Sequence, residues 1–288
     1  IITGPTAAPW AKWNYSGFEQ KEGWSTYTQI IDYIKTLEPG RFMVEQDKER
    51  TQKIGTSRAF ELIPYFTDHH VMEGLLVEGS FTSYFHFFNQ AELSKKPSND
   101  IPSLDKPLRD VKRGITHLQL YSIRYMIASS EEVVSELKDD PRAIFLKSFD
   151  DFNIFMIEGI KDYVYIPENM PLKLSTDNWY QDIRKWYEDE DALDTPIIWD
   201  RQEEGLEDFK EIKPEDLNEL KSDNIDIDAD ILIEVFENEK IHFKTDAIGI
   251  PHIVNVSYFP RWQADGAIGP FAVSPSLMLV IPTQEDVI

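Results

Sequence analysis

The feature that most restricts the fold of this chain is a change of hydrophobic period along its length. Trp24, Tyr27, Ile30, Ile31, Ile34 and Leu37 recur on one face at helical spacing and stop at Pro39-Gly40, which predicts an amphipathic helix. Far downstream, Ile231, Ile233 and Val235 alternate with polar residues, turn through Glu237 to Lys240, and resume at Ile241 and Phe243. Val254, Val256 and Tyr258 alternate again, and Leu277 to Ile281 is a continuous apolar run of buried-strand length. Helical periodicity near one end and strand periodicity at the other predict an α+β fold: an N-terminal α/β layer followed by a C-terminal antiparallel β-sandwich-like domain.

Between these anchors the pattern is mixed. Phe42-Met43-Val44 and Ala59 to Ile63 read as short strands joined by a charged turn from Gln46 to Gly55. Val71 to Phe88 is apolar but interrupted by glycines, and reads as buried loop or short helix. Val111, Ile115 and Leu118 predict a helix leading into a strand at Arg124 to Ala128. Ser130 is placed as the cap of a helix over Glu131 to Lys138. A hairpin follows, Ala143 to Phe149 and Asn153 to Ile157, turning at Asp150-Asp151. Trp179, Tyr180, Ile183, Trp186 and Tyr187 form a helix with an aromatic face. The expected division is 1–175 for the α/β domain with its irregular aromatic start, 176–222 for the aromatic helix and an acidic connector, and 223–288 for the sandwich.

Charge and composition narrow the function. Fifty-two acidic against 29 basic residues give a formal net charge of −23, so the chain should repel phosphate backbones, and no nucleic-acid partner is expected. The absence of cysteine removes disulfides, thiolate nucleophiles and cysteine-ligated metals. No window holds the roughly 20 apolar residues that span a bilayer. The chain begins without methionine and ends just after an apolar run, so it is expected to be a fragment of a longer protein.

The chemistry-bearing clusters are sparse. Asp68, His69 and His70, with Glu73 behind and His86 downstream, are weak metal candidates, because adjacent histidines in a strand point apart. Asp226, Asp228, Asp230, Glu234 and Glu237 fit a calcium-loop spacing, but Ile231 stands where the loop needs glycine, and a strand with an acidic face explains them better. Asp68, Glu73 and Glu78 are loose candidates for a glycosidase carboxylate pair. No metal and no cofactor is expected. Trp10, Trp13, Tyr15 and Trp262 lack a periodic explanation and are the candidate glycan-stacking residues. Pro260, Gly266, Gly269 and Pro270 surround Trp262 with turn residues, which places it as a cap of the sandwich or a lining of its mouth.

The segment VNVSYFPRWQADGAIGPFAVSPSLMLVIP from Val254 to Pro282 resembles a stretch of the 6-pyruvoyl-tetrahydropterin synthase-related, YfhO-type polytopic membrane proteins, relatives of the GT-C glycosyltransferases. Supporting matches are PWAKWNYSGFEQK from Pro9 to Lys21, LEPGRFMVEQ from Leu37 to Gln46, and Tyr121 to Ala128. The resemblance implies an extracytoplasmic domain on the outer face of the cytoplasmic membrane, tethered by flanking membrane helices, with catalytic carboxylates elsewhere in the parent protein. It also implies a glycan or lipid-linked sugar as partner. The expected function is thus an accessory domain that positions a glycan or polymer acceptor without a complete active site of its own. The alternatives are a free-standing glycan-processing enzyme with a carboxylate pair, or a purely structural cell-envelope domain.

Overall fold

The computed structural model describes residues 9, 17–74, 79–97, 104–201, 203–237 and 239–288. They form an α+β protein whose described residues fall into two compact units. One lies within Ile1–Val77 and His86–Ile160, the other within Glu78–Phe85 and Lys161–Ile288.

The first unit is built on a five-stranded sheet. Helix α1 (Trp24–Ile34) precedes β1 (Arg41–Val44), and α2 (Lys48–Lys53) and α3 (Ile63–Phe66) lead to β2 (His70–Val71). Helix α4 (Ser83–Glu92) gives its first residues to the second unit and the rest to the first. Then come α5 (Val111–Leu120), β3 (Ile123–Ala128), α6 (Glu131–Asp139) and the hairpin β4 (Ala143–Phe149) and β5 (Phe152–Ile157). The strand order is β2-β1-β3-β5-β4, with β2, β1 and β3 parallel and β5 and β4 antiparallel. Register sets Phe42 beside Tyr125 and Val44 beside Ile127, and these side chains share a face buried with Tyr27, Ile30, Ile31 and Ile34 of α1. By alternation Met43, Met126 and Phe155 point to the opposite face, where they are also fully buried. Gly23 starts α1 where its N–H meets the Lys53 carbonyl at 2.8 Å, and a Cβ there would stand 2.4 Å from that oxygen.

Two segments depart from the sequence reading. Residues 46–55 hold α2 in place of a plain turn, because the Asp47 side chain accepts from the Glu49 and Arg50 N–H groups and caps it. Ala59–Leu62 is a 3-10 helix running into α3 and not a strand, because Phe60 and Ile63 are buried at helical spacing against α1.

Ser130 does begin α6, yet its side chain makes no capping bond. It is turned to Glu45, a buried carboxylate just past the end of β1. Glu45 accepts from the Ser129 N–H at 2.7 Å, the Ser130 N–H at 2.9 Å, the Ser130 hydroxyl and the Lys95 N–H at 3.3 Å. A negative charge at the helix N-terminus is favoured by the unpaired N–H groups there, so the carboxylate replaces the usual serine cap.

The second unit contains β6 (Val164–Tyr165), β7 (Leu172–Leu174), α7 (Trp179–Glu188), β8 (Ile197–Trp199), β9 (Glu211–Ile212), β10 (Ile231–Phe236), β11 (Ile241–Thr245), β12 (His252–Val254), β13 (Ala267–Val273), β14 (Leu277–Pro282) and β15 (Asp286–Val287). A seven-stranded sheet runs β6-β12-β14-β13-β8-β7-β9 and a three-stranded sheet runs β10-β11-β15. The smaller sheet packs over part of the larger through Ile241, Phe243 and Val287 against Val164, Val254, Ala272, Met278 and Val280. This is the sandwich layer expected from sequence, but its limits differ. Residues 176–222, expected as an aromatic helix and an acidic connector, hold that helix but also supply β8 and β9 to the large sheet, and the contact division falls at Ile160 and Lys161, not at 175. Strands of two or three residues have no measurable period, and β7 pairs in parallel with both β8 and β9, which local pattern cannot reveal. The strand expected through Tyr258 ends at Val254, as Ser257 leaves the ladder to meet Ser80 and Thr82.

Replacing Glu45 with alanine would strand three N–H donors around a buried site. Urea unfolding should show a loss of about 3 kcal/mol for Glu45→Ala, with a smaller loss for Glu45→Gln, which keeps one acceptor oxygen.

Candidate functional site

The alternation of β11 creates two different surfaces on the small sheet. Ile241, Phe243 and Thr245 point inward, while His242 and Lys244 point outward. Inward, Ile241 and Phe243 form one wall of a cleft of about 800 Å³. Val254, Met278 and Val280 of the large sheet form the opposite wall, and Val287 of β15 closes one side. The register shift of β13 between Ile268 and Phe271 brings Pro270 to the lining as well. The interior is therefore apolar, aliphatic apart from Phe243.

The rim is different. Val256, Phe259, Arg261, Trp262, Gln263 and Ala264 come from the irregular segment after β12, and Glu239 and Lys240 from the turn between β10 and β11. Trp262 and Ala264 are half-buried against the apolar cluster, whereas Phe259 remains 57% exposed. The segment is tied down at its far end, where Asp265 and Ile288 exchange two backbone hydrogen bonds of 2.8 and 3.0 Å. Gly266 follows with φ +83°, and a Cβ there would lie 2.2 Å from the Asp286 carbonyl oxygen, so only glycine lets the segment pass so close to β15.

Outward, His242 stands between two carboxylates: Nδ1 is 3.2 Å from Glu234 and Nε2 3.2 Å from Asp286. Lys244 reaches Glu234 at 2.7 Å and Asp286 at 3.9 Å, and Glu234 holds its ammonium above the usual lysine range. Glu234, His242 and Asp286 are close enough to hold a metal ion, but Lys244 already supplies positive charge to both carboxylates. The group works as an ion-pair clasp across β10, β11 and β15. Sequence reading singled out Glu234 in another context and missed the clasp, because His242 and Asp286 meet only through strand pairing.

Of the sequence candidates, Trp262 lies at the cleft rim, while Trp10, Trp13 and Tyr15 lie outside the described residues, as does Glu78. Asp68, His69 and His70 do not converge. Asp68 is exposed, and His69 is buried with Nε2 3.0 Å from the Ile34 carbonyl oxygen and its ring edge-on to Phe42. Burial lowers the basicity of both His69 and His70. Glu73 instead meets His86 at 3.5 Å and the Gln90 amide. A second buried group went unnoticed in sequence: Glu92 accepts from Arg113 Nε at 2.6 Å and stands 2.6 Å from His117 Nδ1, a charge network inside the first unit. Tyr65 and Phe66 form an edge-to-face pair beside Pro64 and Asp68 in a shallow cleft of about 620 Å³, with Tyr65 80% exposed.

Among known families, one described as a domain of unknown function (DUF8559) matches residues 26–168, just under half of the chain. No curated protein and no solved structure matches the sequence. The match ends a few residues past Ile160, so it leaves out the cleft and almost all of the second unit.

His252 ties the cleft to pH. Its ring stacks on Phe243 at 5.8 Å, Nδ1 donates to the Ile250 carbonyl at 2.8 Å, and Nε2 accepts from the Thr245 hydroxyl at 2.9 Å, an arrangement that suits the neutral ring. Burial lowers its pKa from the ordinary 6.5. The unfolded chain then binds the proton more readily than the folded one, so this contribution to stability is complete above about pH 6.5 and is lost as pH falls below it. Thermal melts of the chain between about pH 7.5 and about pH 5 should show declining stability that is shallower in His252→Gln.

Proposed function

We propose that the second unit is a binding module that takes an elongated apolar molecule into the cleft between its two sheets, and that the chain acts as a non-catalytic accessory domain of a larger envelope protein. The observation that carries this reading is the lining: apolar walls from five strands leading to a rim of Trp262 and Phe259. The apolar surface left open lies at the mouth, at Phe259 and the half-buried Val256, Trp262 and Ala264, and such surface costs about 25 cal/mol for each Å² in contact with water, so a sandwich with only a structural role gains by closing over it. The volume falls within the roughly 300–1,000 Å³ of small-molecule sites, which are lined mainly by apolar side chains with a few polar groups for orientation.

The glycan-positioning role suggested by the family resemblance keeps a narrower place in this reading. A sugar ring needs hydrogen-bonding partners around its stacking face, and the cleft offers them only at the rim, where Gln263 adjoins Trp262. Sugar contact is therefore proposed at the mouth, with the interior reserved for hydrocarbon.

Titration with Nile red, a neutral apolar dye, should give saturable one-to-one binding with blue-shifted emission. Ala264→Trp, which fills the mouth from a half-buried position, should weaken it by about tenfold or more while circular dichroism stays unchanged. Non-saturable partitioning, or equal binding by the folded variant, would overturn the assignment.

A further inference from the structure

The cleft does not end in a neutral rim. Lys240 and Arg261 both line it, from two separate segments, and among the described residues neither takes part in an ion pair. Elsewhere in the unit Lys161, Arg184, Arg201, Lys221 and Lys244 are held in ion pairs and Lys173 and Lys210 donate to backbone carbonyls, while Lys185 and Lys213, like Lys240 and Arg261, form no ion pair among the described residues but lie away from the cleft lining. In a chain with 52 acidic side chains, two uncompensated cations at the mouth of one apolar cleft form a local reversal of sign. Glu239 is the sole carboxylate side chain among the lining residues, so the lining side chains carry a net positive charge.

Resting on the cleft's assignment as an apolar binding site, we infer that its ligand is a single-chain anionic amphiphile. The hydrocarbon chain lies along the apolar floor that Ile241, Phe243, Val254, Met278 and Val280 form, against Val256, Trp262 and Ala264 at its side. The oxyanion head, a carboxylate or a phosphate monoester, stays at the water boundary between Lys240 and Arg261. A guanidinium pairs with two oxygens of either head at once, and a flexible ammonium adds a point charge, so the two residue types suit both heads. The chain's overall negative charge repels anions at long range. Recognition therefore depends on the head coming within direct hydrogen-bond reach of this pair, where the local charges dominate over those screened by solvent. An uncharged chain of equal length would gain the same burial without the head contacts.

The test is isothermal calorimetry on the whole chain with dodecanoate, dodecyl phosphate and dodecanol, each below its aggregation concentration. Both anions should bind about tenfold or more tightly than the alcohol. Shortening the acid should weaken binding by about fourfold for each methylene removed. The double variant Lys240→Gln with Arg261→Gln changes two surface side chains, and should bring the anions down to the affinity that the same variant has for the alcohol. The tighter of the two anions identifies the head. Equal binding of acid and alcohol to the native chain, or anion binding untouched in the double variant, would overturn the anionic head and leave the apolar cleft standing. Failure of all three compounds to bind would remove the cleft assignment itself.

Discussion

Strand β11 carries two tasks that depend on one geometric rule, the alternation of side chains across a pleated sheet. Its inward residues, Ile241 and Phe243, are needed both as core for the small sheet and as wall for the cleft. Its outward residues, His242 and Lys244, hold Glu234 of β10 and Asp286 of β15 in an ion-pair clasp. A two-residue strand such as β15 gains little from its own ladder, so the clasp outside and Val287 inside are what fix it beside β11. Because Asp265 pairs with Ile288 next to it, the position of the rim segment follows from the position of β15. Exposed ion pairs of this kind are individually weak, and their value here is in register more than in free energy.

The first unit solves a different problem. Its parallel strands end where backbone N–H groups of α6 would face a buried space without partners, and Glu45 satisfies them with one carboxylate. Glu92 instead engages side chains of α5, accepting from Arg113 Nε and meeting His117 Nδ1. Both are buried acids whose role is explained by the donors around them, which removes them from the pool of catalytic candidates. In a chain so rich in carboxylates, this distinction matters: burial alone does not mark a reactive group, whereas burial with every oxygen engaged marks a structural one.

Much of this architecture was legible in the sequence wherever an element was long enough to show a period. Helix α1, helix α7, the β4–β5 hairpin and strands β10, β11 and β14 stand close to where hydrophobic spacing puts them. The failures have specific causes. The segment at Ala59 to Ile63 is apolar enough for a strand, but its burial against α1 follows a helical turn. Residues 176–222 looked like a helix and a connector because β8 and β9 are too short to alternate, and their sheet is completed by pairing across large sequence distances. Trp262 was identified from its lack of periodic explanation and does line a cleft, but its neighbours Lys240 and Arg261 were invisible, since nothing in a single sequence indicates which cations lack a partner. The group at Asp68 to His70 is dense in sequence, but adjacent residues point apart and the three do not converge.

The short excursion through Ser80 and Phe81 has a consequence for how the molecule can be cut. Phe81 stacks on Trp199 at 5.7 Å and meets Tyr258 edge-on, while Ser80 and Thr82 bond to Ser257 within the rim segment of the cleft. A piece of polypeptide drawn from well upstream thus completes the aromatic packing of a unit otherwise made from Lys161 onward. A gene fragment starting at Lys161 would encode every wall of the cleft and still leave a vacancy between Trp199 and Tyr258. The unit is contiguous in space but not in sequence, so it cannot be grafted, swapped or inherited as a single uninterrupted module.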